Sequence, residues 1–128
     1  MINNLENNFF KDISISNDAY KLANAIYNTY KIDEDAYLSI SAKNLINLFP
    51  HLSVYESIFK IRALFMEINE PILIQHFEYR NRYISWKTIS FCYCDNCIED
   101  INDVLELELD EMYLELLEND KSQKILKI

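Results

Sequence analysis

The chain of 128 residues contains no glycine. Glycine is the residue that reaches positive φ angles without steric cost and lets the backbone approach a phosphate closely. Phosphate-binding P-loops and dinucleotide-binding turns both require it, so the sequence excludes both kinds of nucleotide site. The turns must instead be built from Asn, Asp and Pro.

Negative charge is concentrated in one segment of the chain. Residues 95–120 contain eleven carboxylates and no Lys or Arg, whereas residues 1–94 hold nine basic and ten acidic side chains. The net charge of −9 therefore comes from this block, although Lys121, Lys124 and Lys127 follow it. A concentrated negative field repels nucleic acid and anionic membranes, and it attracts basic partners.

The composition fits one domain. Half of the residues are apolar, which is enough for the core of a chain of this length. No apolar run approaches the ~18 residues that span a bilayer, and the first residues lack the basic and apolar regions of a signal peptide. We therefore predict a cytoplasmic protein with reduced cysteines, no cofactor and no membrane partner.

Apolar spacing and capping residues predict an α+β fold that is mostly helical. Ser16 is a candidate N-cap, and Ser53 followed by Glu56 is a capping box. Pro50 is expected to end the helix that precedes it. In chain order, the predicted elements are a helix over residues 17–30, a strand over 37–40, helices over 42–49 and 54–68, and a hairpin over 72–94.

The acidic block is predicted to form one long amphipathic helix that begins at about Asp95. Its apolar residues are spaced by three or four, namely Ile98, Ile101, Leu105, Leu109, Met112 and Leu116. We therefore expect residues 1–94 to form the domain, and residues 95–128 to form an appended acidic helix with a basic tail.

Helix, strand, helix, tight turn, helix and hairpin is the order of elements in a winged-helix domain. Four short motifs resemble the N-terminal winged-helix domain of phage replication initiators, and together they fall within residues 17–90. They are residues 17–20 at the start of a Tyr-rich helix, residues 48–53 at the turn, the stripe of Ile58, Ile61 and Leu64, and residues 82–86 after the wing. The resemblance implies a winged-helix-like scaffold with a β-hairpin wing.

In that family the third helix is typically basic and enters the major groove of DNA. Here the third helix and the residues that follow it carry Glu56, Glu67 and Glu70. DNA binding by a regulator or replication factor is therefore the alternative hypothesis, because few cations would face eleven carboxylates nearby. The candidate DNA contacts are Lys60, Arg62, Arg80 and Arg82.

The uncompensated acidic helix favours a protein partner, because an ordinary exposed helix mixes charge signs to gain Glu–Lys pairs. The leading hypothesis is a non-enzymatic inhibitor that occludes a basic nucleic-acid-handling protein or nucleoprotein. Its acidic, small-inhibitor character resembles phage anti-CRISPR proteins, which implies a CRISPR effector as target; immunity proteins against nuclease toxins share the same physics. The predicted partner-binding residues are Asp103, Glu106, Asp110 and Glu111 on the helix, with Arg80 and Arg82 in the wing.

Three cysteines lie close together, and they leave three interpretations open. Cys92, Cys94 and Cys97 could bind zinc if His76 supplied a fourth ligand. Cys94 and Cys97 could instead form a redox pair near a helix start, or all three could be free thiols. Because no fourth ligand is adjacent in sequence, we predict no metal. The sequence also lacks the Ser–His–Asp order and the His–Glu motifs of hydrolases, so we predict no enzymatic activity.

Overall fold

A computed structural model describes residues 15–78, 83–119 and 125–127 of the chain. Within these residues the protein combines helices with small antiparallel sheets, which confirms the predicted α+β class. In chain order, the elements are α1 (Asn17–Asp33), β1 (Tyr37–Ser41), α2 (Ala42–Ile46), α3 (Val54–Ile68), β2 (Ile72–Glu78), β3 (Tyr83–Ile89), β4 (Cys92–Cys94), β5 (Val104–Leu109), α4 (Glu111–Asn119) and β6 (Ile125–Lys127).

The helix starts follow the predicted caps. The Ser16 hydroxyl accepts a hydrogen bond from the backbone N–H of Ala19 at 3.2 Å, which caps α1. At the start of α3, Ser53 and Glu56 exchange side-chain and backbone hydrogen bonds, so the capping box is present. The helix α1 ends at Asp33, and the capping residue after it, Glu34, adopts a left-handed conformation with φ of 55°. A chain without glycine thus places a glutamate where glycine is usual.

The prediction of one long acidic helix is wrong. Residues Val104–Leu109 form a strand, β5, at the centre of a three-stranded antiparallel sheet of order β1-β5-β4. Leu105, Leu107 and Leu109 are buried on one side of β5, because successive side chains of a strand point to opposite faces. The acids between these leucines are therefore carried on the opposite face of the sheet.

Only the end of the acidic block is helical, in α4. Residues 95–103 form a loop that connects β4 to β5, and Asp103 holds it together. Its Oδ2 atom accepts hydrogen bonds from the backbone N–H groups of Glu99 and Asp100, both at 2.9 Å. Because β5 pairs with β1, a domain boundary after residue 94 would cut this sheet.

The hairpin predicted as the wing exists as β2 and β3, which pair in register from Ile72 opposite Ile89 to Glu78 opposite Tyr83. Together with β6 they form a second sheet of order β3-β2-β6. The prediction that this hairpin continues to Cys94 is wrong, because β4 pairs with β5 in the other sheet. The connecting residues, which include Arg80 and Arg82, lie outside the described part of the chain.

The core confirms the predicted orientation of α3. Ile61 is fully buried and Leu64 is nearly so, and Ile58 and Phe65 pack against the same cluster at its edge. The helices α1 and α3 pack against each other. In the described residues, no helix combines the length and the apolar character needed to cross a membrane.

Candidate partner-binding surface

The outward face of the first sheet is rich in carboxylates and tyrosines. The inward face of the central strand carries the buried leucines, so its glutamates are displayed on the other side. The residues of this acidic sheet face are Tyr37 on β1, Tyr93 on β4, Glu106 and Glu108 on β5, Asp95 after β4 and Asp110 after β5.

Two tyrosines flank one glutamate on the acidic sheet face. Glu108 is the register partner of Tyr37 on one side and of Tyr93 on the other. The hydroxyl of Tyr37 donates a hydrogen bond to Asp95 Oδ2 at 3.0 Å, and that of Tyr93 donates to Asp110 Oδ2 at 3.0 Å. Both hydroxyls are therefore held in place by carboxylates of the same face.

These contacts raise the pKa of both phenols above its ordinary value. The hydrogen bond to Asp95 is the main cause that raises the pKa of Tyr37, and the nearby charges of Glu106 and Glu108 add to it. Partial burial raises the pKa of Tyr93 most, followed by its hydrogen bond to Asp110. In each case a negative neighbour opposes ionisation of the phenol, so the tyrosines act as neutral donors.

The carboxylates of the acidic sheet face have no cationic partner in the described residues. The two ion pairs found there join Lys31 to Glu118 and Lys60 to Asp18. On the face itself, the carboxylates accept from hydroxyl and backbone groups; Ser39, for example, donates to Glu106 at 2.7 Å. Within the described ranges, no lysine or arginine pairs with these carboxylates to offset their negative charge.

The structure brings together three of the four predicted acidic contact residues, although not on a helix. Glu106 and Asp110 belong to the acidic sheet face, and the exposed Glu111 follows directly in the first turn of α4. Asp103 does not join them, because its carboxylate is turned towards the backbone of the loop before β5. The assignment of these four acids to one helix was therefore wrong.

A shallow depression lies at the end of the acidic sheet face. It has a volume of about 330 Å³, and its lining residues are Tyr93, Glu108, Leu109, Asp110, Glu111 and Met112. Among these lining residues Asp110 also has a structural role, because its Oδ1 atom accepts a hydrogen bond from the N–H of Tyr113 and caps α4. The depression therefore combines the exposed carboxylates of Glu108 and Glu111 with the carboxylate of Asp110, which is fixed as the N-cap of α4.

Of the four predicted basic contact residues, Lys60 and Arg62 lie within the described part of the chain. Lys60 forms an ion pair with Asp18 and lies over the ring of Phe49 at 5.4 Å. This pairing lowers the pKa of Asp18, mainly through the hydrogen bond from Lys60. Arg62 is exposed on α3, and Arg80 and Arg82 lie outside the described residues.

The three cysteines are free thiols, with Cys92 buried and Cys94 and Cys97 exposed. The thiol of Cys92 donates a hydrogen bond to Cys94, which raises the pKa of Cys92 and lowers the pKa of Cys94. Over the described ranges, no three His, Cys, Asp or Glu side chains are placed to hold a metal ion. The side chain of His76, the suggested fourth ligand, lies outside the described part.

Reasoning from the sequence missed the tyrosines and Glu108 as members of this surface. The signal was available in the strict alternation of Leu and Glu over residues 105–109, which is the period of a half-buried strand. Once a strand is assigned there, Glu106 and Glu108 fall on one face, and the strands beside them supply the aromatic rings. No known protein family, curated protein or solved structure matches the chain.

Proposed function

We propose that the protein is a non-enzymatic cytoplasmic inhibitor that binds a basic, nucleic-acid-handling protein through the acidic sheet face. The observation that carries this proposal is the set of face carboxylates without a cationic partner in the described residues. Like charges held close together destabilise a fold slightly, and a basic partner would relieve that repulsion. The face would occupy a groove that otherwise receives phosphates, and so block access of nucleic acid.

Tyr37 and Tyr93 add aromatic contact surface to the carboxylates of the acidic sheet face. Tyr and Arg are enriched among the residues that contribute most to binding at protein interfaces. An arginine of the partner that pairs with Glu108 would meet the rings of Tyr37 and Tyr93 on either side, and a guanidinium binds both a carboxylate and an aromatic face. The hydrogen bonds that already fix the two hydroxyls reduce the entropy lost on binding.

The arrangement of elements supports a winged-helix-like scaffold for this function. The strand β1 before α2 pairs with β5, the second strand of the later β4–β5 hairpin, while α2 and α3 follow each other across a tight turn. In this proposal the wing is the β4–β5 hairpin with its acidic loop, and β2–β3 is inserted before it. An acidic wing is suited to a protein partner and unsuited to a phosphate backbone.

The second candidate function, a winged-helix regulator or replication factor that binds DNA, rests on the same order of elements and on the exposed Arg62. It has less support, because Lys60 is already paired with Asp18 and α3 presents aromatic and apolar side chains. Within the leading proposal, a CRISPR effector or a nuclease toxin is the expected class of target, on the resemblance to small acidic inhibitors.

The proposal is tested by affinity capture with a matched pair of charge-reversal variants. The immobilised protein, the Glu106→Lys/Glu108→Lys variant and the Asp33→Lys/Glu34→Lys variant are incubated with nuclease-treated bacterial lysate. Both variants change the net charge equally, but Asp33 and Glu34 are exposed at the end of α1. Circular dichroism checks that each variant is folded.

We expect mass spectrometry to find basic nucleic-acid-binding proteins on the wild type and on the variant at the end of α1, but not on the sheet variant. The retained protein should also lose affinity for its nucleic acid when the wild-type chain is added. Equal retention by both variants would contradict the role of the face, as would tight, sequence-dependent binding of duplex DNA by the chain itself.

A further inference from the structure

The outward face of α3 carries a stripe of large apolar side chains around one arginine. Tyr55, Phe59 and Met66 are exposed to 74, 63 and 78%, and Arg62 lies among them on the same side of the helix. With 100° per residue, the four positions fall within an arc of about 60° and span about 16 Å along the helix. Exposed apolar groups aligned in this way mark an interaction surface.

This stripe differs in charge from the acidic sheet face. The carboxylate of Glu56 is occupied in the capping box at the start of α3. The carboxylate of Glu67 accepts hydrogen bonds from the backbone N–H of Ser16 at 2.6 Å and from its hydroxyl at 2.9 Å. No acid lies on the stripe itself, so two such surfaces can approach each other without repulsion between carboxylates.

The spacing of the stripe is self-complementary. Its four residues are separated by four, three and four positions, so the order of spacings is the same in both directions. If a second copy of α3 lies antiparallel across it, Tyr55 faces the second copy's Met66, and Phe59 faces the second copy's Arg62. Thioether–aromatic and cation–aromatic contacts are both favourable, and a two-fold axis forms each of them twice.

A groove beside the stripe provides room for an aromatic anchor. It has a volume of about 330 Å³ and lies between the C-terminal half of α3 and the start of the loop after β4, where Phe65, Met66, Cys94, Cys97 and Ile98 line it. Because Met66 lines this groove, the residue opposite Met66 in an antiparallel pair stands at its opening. That residue is Tyr55 of the second copy, an aromatic side chain suited to an apolar pocket.

We propose that α3 is the interface of a symmetric homodimer, in which the Tyr55 ring of each copy enters the groove of the other. If each of the three large apolar side chains of the stripe buries roughly 150 Å², the two copies together bury about 900 Å². This area is at the low end of specific interfaces. The dimer should therefore be weak, with a dissociation constant in the micromolar range. The acidic sheet face stays open in it, because Glu106 and Glu108 lie on the side of β5 opposite to Leu105, which lines the groove.

The first test is sedimentation equilibrium of the full chain from about 1 μM to about 1 mM, a range that brackets weak dimers. We expect a shift from monomer to dimer for the wild type, and at least a tenfold weaker association for Phe59→Glu. The control is Ile32→Glu, which changes another exposed side chain, 81% accessible on α1, and should leave association unchanged. A wild type that stays monomeric throughout would overturn the proposal, as would equal effects of the two substitutions.

The second test addresses the antiparallel register. In a background with Cys94→Ser and Cys97→Ser, the single variants Tyr55→Cys and Met66→Cys are oxidised separately and as an equimolar mixture. The mixture should give a disulfide-linked dimer that joins position 55 to position 66, and each variant alone should give little. Efficient links between like positions would overturn the antiparallel pairing, because those positions are separated by about 16 Å in it.

Discussion

The substitution Leu107→Ala distinguishes the observed strand β5 from the helix that the sequence predicted for the same residues. In a helix with the apolar stripe through Leu105 and Leu109, Leu107 would be carried away from that stripe and its loss would be nearly neutral. In the structure Leu107 is fully buried at the centre of β5, where its register partners are Leu38 on β1 and Cys94 on β4. Truncation of a buried leucine costs about 2–5 kcal/mol, and tightly packed sites lie at the upper end.

The measurement is urea unfolding of Leu107→Ala, followed by circular dichroism, with thermal unfolding as a second probe. We expect the free energy of unfolding to fall by about 3 kcal/mol, which at about 4 °C for each kcal/mol lowers the midpoint by roughly 12 °C. The matched control is Glu108→Ala on the exposed face of the same strand, which should change stability by less than about 0.5 kcal/mol. A similarly small effect of Leu107→Ala would refute the assignment of β5 as the central, half-buried strand.

Three further predictions concern a loop carboxylate, a pair of thiols and the binding of DNA. Asp103→Ala should lower the free energy of unfolding by about 1–2 kcal/mol, because two backbone N–H groups lose their acceptor; urea unfolding with no measurable change would contradict this role. Alkylation of Cys94 by iodoacetamide should rise with pH about a midpoint below the ~8.5 of an ordinary thiol, since Cys92 stabilises its thiolate. Cys92→Val should move that midpoint upwards, and an unchanged pH profile would count against the thiol pair. In gel-shift assays at physiological salt, duplex DNA should bind with a Kd weaker than about 10⁻⁶ M, whereas a sub-micromolar, sequence-dependent shift would favour the DNA-binding alternative.

The elements up to β3 could be predicted from the sequence because local chemistry decides them. Ser16 and Ser53 cap helices with their own side chains. The spacing of Ile58, Ile61 and Leu64 identifies the buried face of α3. These signals act within a few residues, so they need no knowledge of the rest of the fold. The α+β class followed from them.

The acidic block was assigned wrongly by the same kind of local signal, because Leu105 and Leu109 are four positions apart, which fits a helix as well as a strand. Leu107 distinguishes a helix from a strand, because it shares a face with Leu105 and Leu109 only in a strand. The roles of the carboxylates were equally ambiguous, because an aspartate that would be exposed on a helix can accept hydrogen bonds from backbone N–H groups in a loop. Asp103 is such a case.

By itself, the sequence determined the absence of glycine-dependent nucleotide sites, the concentration of negative charge in residues 95–120, and the caps and apolar face of the helices before the first hairpin. Only the tertiary structure decided that Glu106 and Glu108 lie on a sheet, and which side chains share its face. The physical reason is that β5 obtains its hydrogen bonds from β1 and β4, and β1 lies more than sixty positions earlier in the chain. The same pairing places Tyr37 and Tyr93 beside Glu108, a neighbourhood that no local pattern in the sequence contains.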